Sequence, residues 1–327
     1  MSNYLRAINL FHKNRTKFND KILIIGRGRW SDVITKELIS NFPNIEKILV
    51  YSPKFRNIKN KISNKKIILT NSLKFIKEHN VKYIIISNKN SDHLKYIKLF
   101  LRSENNILCE KPLIIKKREL LNLESNLRKK KTFLTISMQF FYAFYFYFIN
   151  KNFVKNKKIE KIEIDWFDKK NEKKNGIVKK HDMKINFIED IFYHVYSILS
   201  ILAKIKDYSF HFQPIKKKNV EHINFIVNKK IITNLNSSRI YDRRTRVIKL
   251  YFSNKDLLFI NFSNDTDVKV KFNGKIVKIP TKLMSKTIKY QLYYFLKPSK
   301  NDDKLVLNSF KNLKNFFKNL YLLKKKL

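Results

Sequence analysis

Only four glycines occur in 327 residues, and two of them, Gly26 and Gly28, stand two apart in KILIIGRGRWS. The Ile-rich run before them is continuous rather than alternating, the pattern of a strand covered on both faces. After them, SDVITKELISNF sets Val33, Ile34, Leu38 and Phe42 at helical spacing. A buried strand that must pass into a helix through a tight turn is the start of an α/β unit, and few other architectures begin that way.

The next hundred residues repeat the alternation. EKILVYS, NKKIILT, VKYIIIS, NILCEKPL and TFLTIS read as further strands, with SDHLKYIKLFLRS and KKRELLNLESNLRKK as helices between the later ones. Strands alternating with helices predict a parallel sheet flanked on both faces. Near residue 140 the pattern changes. IEKIEIDWF alternates, INFIEDIFYHVYSILSILAKI is a long helical stretch, and HINFIVN, KIITNLNSSRI, RVIKLYFSN, DLLFINFSN, VKVKFNG and KIVKIP are short strands broken by turn residues. Consecutive strands joined by tight turns predict an antiparallel sheet. The C-terminal SFKNLKNFFKNLYLLKKKL is helical with a basic end. The expected fold class is thus α/β: an N-terminal Rossmann domain with a parallel sheet over 21–138, then an α+β domain with a mostly antiparallel open sheet over 139–327. Residues 1–20 read as a basic N-terminal extension.

A glycine pair between a strand and a helix is the dinucleotide-binding fingerprint. Gly26 makes the turn, Gly28 lets a pyrophosphate approach the backbone at the positive end of the helix, and Arg29 and Trp30 occupy its first turn. The third position of the pattern is Ser31, which is expected to hold helix and strand slightly farther apart. An NAD site carries an acid at the end of the second strand to hold the ribose 2′-hydroxyl. Tyr51 and Ser52 stand there instead, followed by Lys54 and Arg56. The missing carboxylate favours NADP(H) over NAD(H), with Ser52 and Arg56 facing the 2′-phosphate.

Net charge is +45, from 71 Lys and Arg against 26 Asp and Glu. Such an excess suggests nucleic acid, but the lysines are dispersed, and Lys, Asn, Ile, Phe and Tyr are enriched together while Gly, Pro and Ala are scarce. Those sets have A/T-rich and G/C-rich codons respectively, so the charge is attributed to mutational bias in an AT-rich genome. Nucleic-acid binding remains a rival reading. The single cysteine, Cys109, excludes an intrachain disulfide and fits a cytoplasmic setting. No metal-ligand spacing is present. FFYAFYFYFI, residues 140–149, is the most apolar segment but falls short of a membrane span, and its tyrosines suit a core.

Glu110-Lys111-Pro112 directly follows the fifth strand, and DIFYH, Asp190 to His194, lies in the long helical stretch. With the glycine turn and SNKNSDH at 87–93, these residues resemble the Gfo/Idh/MocA oxidoreductases, from about Lys21 to near the C-terminus. The resemblance implies a nicotinamide-dependent oxidoreductase acting on a carbonyl/alcohol pair, a sugar or sugar derivative, with an imine as a further possibility. Lys111 and His194 would be the central catalytic pair and Asp190 would position the substrate. Glu110 would lie near the nicotinamide ribose, and Ser87, Asn88 and His93 would belong to the cofactor loop. The chemistry agrees: residues four apart share a helix face, and histidine suits proton transfer near neutral pH. The resemblance also implies homo-oligomers through the C-terminal sheet. Two departures stand out. Gln139 and Phe140 replace an arginine common in the crossover, and Phe192 replaces a small residue between Asp190 and His194, adding bulk expected to narrow the substrate space. A cofactor-binding homologue without activity is the alternative.

Overall fold

The computed structural model describes residues 8–9, 11, 13, 15–53, 64–102, 104–170, 173–174, 177–178, 185–204, 208–209, 215–217, 220–264, 266–296, 310 and 313–325. The chain divides into two compact units, Met1–Tyr142 with Ile288–Leu313, and Ala143–Thr287 with Lys314–Leu327. The second half is therefore not one uninterrupted domain: residues 288–313 group with the first unit.

The first unit holds β1 (Ile22–Ile25), β2 (Ile48–Tyr51), β3 (Ile67–Thr70), β4 (Tyr83–Ile86), β5 (Asn106–Cys109) and β6 (Phe133–Ile136). Among the described residues these form one sheet in the order β3-β2-β1-β4-β5-β6, each neighbouring pair parallel. This is the doubly wound order, whose reversal between β1 and β4 opens a crevice at the carboxyl ends of the strands. All four residues of β1 are at most 1% exposed, which explains their Ile and Leu content; each buried side chain contributes about 1.5–3 kcal/mol. The helices are α1 (Arg29–Asn41), α2 (Leu73–Glu78), α3 (His93–Leu99) and α4 (Lys117–Lys130). In α1, Ile34 and Leu38 are fully buried one turn apart, as the spacing requires.

The N-terminal stretch is not a purely polar extension. Phe11 and Phe18 are buried, Phe11 edge-on to Phe42 and Tyr290 at 6.3 and 5.2 Å and Phe18 to Tyr83 at 5.1 Å.

The second unit opens with α5 (Phe144–Ile149). The aromatic segment 140–149 is core, as its composition predicts: Phe146 sits edge-on to Phe262 at 5.2 Å. Its sheet contains β7 (Ile159–Lys169), with β8 (Lys173–Lys174) and β9 (Ile177–Val178) forming a separate small ladder. Then come β10 (Tyr208–Ser209), β11 (Ile215–Lys217), β12 (Val220–Val227), β13 (Ile231–Tyr241), β14 (Thr245–Phe252), β15 (Leu257–Asn261), β16 (Lys269–Phe272) and β17 (Lys275–Val277). The order is β10-β12-β13-β7-β14-β15-β16-β17, with β11 also on β12. The ladder is antiparallel except where β13 runs parallel to β7, because β7 precedes the sheet's other strands and enters its middle.

α6 (Phe187–Leu202) has the period of a helix buried on most of its surface. It starts where Asn186 accepts a hydrogen bond from the Ile188 amide at 2.8 Å, and Glu189 and Asp190 complement its positive end. α7 (Thr287–Leu296) follows β17, and α8 (Lys314–Lys324) closes the chain. α8 packs on α6, with Phe316 stacked on Phe192 at 5.8 Å and Lys324 Nζ 2.6 Å from Glu189. Among the described residues, no helix is long and apolar enough to cross a membrane.

Candidate active site

In the first unit the strand ends are level. Gly26 N donates to Tyr51 O, Ser87 N to Ile25 O, Glu110 N to Ile86 O and Ser137 N to Cys109 O, at 2.7–2.9 Å. One rim therefore carries Gly26, Ser52, Ser87 and Glu110, the residues that follow β1, β2, β4 and β5. Gly26 has φ +117°, and a Cβ there would lie 2.8 Å from Asn88 N and Ser87 C. Only glycine lets the β1 turn lie against the loop after β4. Gly28 is the N-cap of α1, and a Cβ there would meet no atom within 4 Å. The two glycines thus do different work: one permits close packing, the other leaves open space at a helix N-terminus. Arg29 and Trp30 begin that helix and are half-buried.

Ser31 is accommodated without a void. It is 1% exposed, and its hydroxyl donates to Gly26 O at 2.7 Å, so the side chain that replaces the third glycine ties helix to turn instead of spacing them.

At the end of β2, Tyr51 is buried against Tyr96 of α3, ring centroids 6.1 Å apart. Burial and the bond to Tyr51 push the Tyr96 hydroxyl up to about 12. With Tyr51 turned inward, half-buried Ser52 is the polar side chain at the strand end. Arg56 and Lys54 lie outside the described residues.

His93 is fully buried, its Nδ1 3.2 Å from Pro112 O and its Nε2 3.2 Å from Asn88 O. Burial lowers its pKa. The ring braces the loop after β4 against the Glu110-Lys111-Pro112 turn, whose Lys111–Pro112 peptide is cis. With no surface to offer a ligand, His93 reaches the rim only through those loops. Glu110 is 8% exposed, and burial raises its carboxyl to about 6 against the opposing pull of Ser137, Trp30 and Lys111. Behind it, Gln291 Nε2 of α7 donates to Ser137 Oγ at 3.1 Å, both buried. Lys111 is half-buried beside it. Ser137 and Gln291 were not foreseen. Ser137 sits in TFLTIS at the last strand's end, but nothing marks TIKYQLYYFL as its partner.

A dinucleotide suits this rim. The space over Gly28 and the amide-rich start of α1 would receive the phosphate groups. Among the described residues no cluster of His, Cys, Asp or Glu could hold a metal ion. Cys109 is buried and its thiol is raised well above its ordinary value.

In the second unit, Asp190 and His194 lie one turn apart on α6, both half-buried. The His194 ring stacks on Trp166 of β7, centroids 5.3 Å apart and planes 14° from parallel. Phe192 does not crowd them. It is 1% exposed and packs on Phe316 and Tyr208, because two positions along a helix turn a side chain to another face. Trp166 was not foreseen as a site residue; its rarity in a chain with two tryptophans was the available signal.

No curated protein sequence matches the chain. A dehydrogenase (MviM) from Clostridium difficile has a similar fold, with 13% identity, 94% of this chain and 99% of that one covered, and a TM-score of 0.69. UDP-N-acetylglucosamine 3-dehydrogenase GnnA from Acidithiobacillus ferrooxidans gives 11%, 94%, 97% and 0.65 for the same measures. A D-galactose-1-dehydrogenase protein from Rhizobium etli gives 12%, 90%, 93% and 0.61. At these identities the likeness is one of fold. Residues 21–138 match the family model described as oxidoreductase family, NAD-binding Rossmann fold. With its glycine rim and Glu110-Lys111 turn, this stretch is the part of the chain that resembles the Gfo/Idh/MocA oxidoreductases.

Proposed function

We propose that the protein is a nicotinamide-dependent oxidoreductase interconverting a carbonyl and an alcohol on a sugar or sugar derivative, with NADP(H) preferred. The carrying observation is the rim of the first unit, where Gly28 leaves open space at the N-terminus of α1 and Ser52, Ser87 and Glu110 follow the neighbouring strands. Gly26, Gly28, Arg29 and Trp30 would hold the pyrophosphate. Ser52, with Arg56, would take the 2′-phosphate in place of the acid that a 2′-hydroxyl needs. Ser87, Asn88 and Glu110 would hold the nicotinamide ribose. The cofactor, when bound, supplies or accepts the hydride. Lys111 would hydrogen-bond the substrate oxygen, His194 would give or take its proton, and Asp190 would orient the substrate. The sugar leaning is supported by two of the fold relatives, which are named as sugar or sugar-nucleotide dehydrogenases.

The protein would also self-associate through the outward face of the nine-stranded sheet, where Ile232 is 53% exposed beside Asn234 and Asn236. Light scattering that finds a monomer refutes this part.

Titration with NADPH and NADH by fluorescence, then absorbance assays over a panel of aldoses, ketoses and nucleotide sugars, tests the rest. NADPH should bind more tightly than NADH. Lys111→Ala should lower turnover by about 100- to 10,000-fold while NADPH affinity stays within about twofold. Unchanged turnover in that variant refutes the role of Lys111.

A further inference from the structure

The inner face of the second unit's sheet contains a charge pair that hydrophobic burial alone does not explain. Arg246 of β14 and Asp168 of β7 form an ion pair at 3% and 5% side-chain exposure. Removing two charges from water commonly costs as much as their attraction returns, so such a pair adds little stability by itself. Arg246 is further held through its Nη1, which donates to Phe167 O at 2.5 Å and to Thr245 O at 2.7 Å.

Arg246 and Trp166 are direct cross-strand partners, so their side chains emerge on the same face. The guanidinium carbon lies 4.1 Å from the centroid of the Trp166 ring, well inside cation–π range. Phe262 abuts the same indole edge-on at 6.0 Å. Trp166 is 3% exposed: a large flat ring held by a charged clamp and an aromatic neighbour. The imidazole of His194 also stacks on this ring, nearly parallel to it.

We propose that Trp166, clamped by Arg246 and Asp168, is a positioning residue that sets the plane of the His194 imidazole for proton transfer. An imidazole on a helix can rotate about its terminal bond, a broad torsion with weak intrinsic preference. Stacking on a fixed indole removes that freedom and aims the ring nitrogens before substrate arrives. Proton transfer depends on such aim. The inference rests on the reading of His194 as the proton-transfer group; the stack itself does not.

The stack can be read without substrate. In a ¹H–¹³C spectrum of the intact wild-type protein, with the signal assigned through His194→Gln, the His194 ring protons should lie upfield of free histidine because of the indole ring current. They should return downfield in Trp166→Met, which fills space without a ring. Wild-type signals at the free-histidine position overturn the proposal, whether or not the variant folds. Turnover of NADPH with the sugar carbonyl selected by the panel should fall by about 10- to 100-fold in kcat in Trp166→Met, with KM within about threefold. Trp166→Phe, which keeps a flat ring, should restore most of the rate. A full loss in His194→Ala with wild-type kcat in Trp166→Met overturns the positioning role alone. Full activity in His194→Ala overturns the reading of His194 and the proposal with it.

Discussion

The two units hold their polar residues in opposite ways. In the first, the candidate binding groups sit where parallel strands end, placed by main-chain hydrogen bonds between Gly26, Tyr51, Ser87, Glu110 and their neighbours. In the second, His194 stands on a helix, and side chains brought from two strands settle its ring. Backbone placement needs only short motifs and tolerates exchange at the flanking side chains, as Ser31 in a glycine position shows. Side-chain placement depends on partners almost eighty residues away and on their remaining charged and buried.

That difference can be broken most severely in the second unit. Arg246→Leu leaves the Asp168 carboxylate buried without its guanidinium and should cost about 3–5 kcal/mol in urea unfolding. Replacing both residues by leucine should recover most of the loss; equal losses in the single and double variants mean that the charges are not coupled. Next is Gly26→Ala, which forces a Cβ to 2.8 Å from Asn88 N at φ +117°. A loss of about 3 kcal/mol is expected, and a melt like that of the wild type contradicts the close approach.

Glu110 sharpens the comparison through pH. Its carboxyl in the fold, at about 6, lies above its ordinary 4.5, so between those values the folded state binds more protons than the unfolded one. Stability contributed by the neutral acid is therefore complete below about 4.5 and lost as pH rises through about 6. Glu110→Gln should be more stable than the wild type by about 2 kcal/mol at pH 7.5, and the gap should close towards pH 4.5 in parallel urea titrations. A gap independent of pH removes burial of the charge as its cause. The smallest effect on the fold is expected at Gly28→Ala, where a methyl meets nothing within 4 Å. Its melting temperature should not change, while NADPH affinity should fall about tenfold, or about 1.4 kcal/mol. Affinity equal to the wild type places the dinucleotide elsewhere.

Much of the frame was legible in residue order. The Ile-rich runs became β1 to β5, and DIFYH set Asp190 and His194 one turn apart on α6. The misses share a character. TIKYQLYYFL was not recognised as an element, yet it forms α7 and brings Gln291 to Ser137. Phe11 and Phe18 look like interruptions in a basic tail until Phe42, Tyr83 and Tyr290 surround them. The bulk of Phe192 looked like an obstruction until Phe316 and Tyr208 showed where it points.

From its sequence alone this chain determines a glycine turn between strand and helix, the periods of its strands and helices, and the residues that end each strand. Those are local consequences of dihedral freedom and of side-chain spacing along one element. Tertiary structure alone decided that Arg246 lies opposite Trp166 and that Gln291 reaches Ser137. Such partners depend on strand register and on the packing of distant segments, and a shift of one residue in register would turn Arg246 to the other face of the sheet.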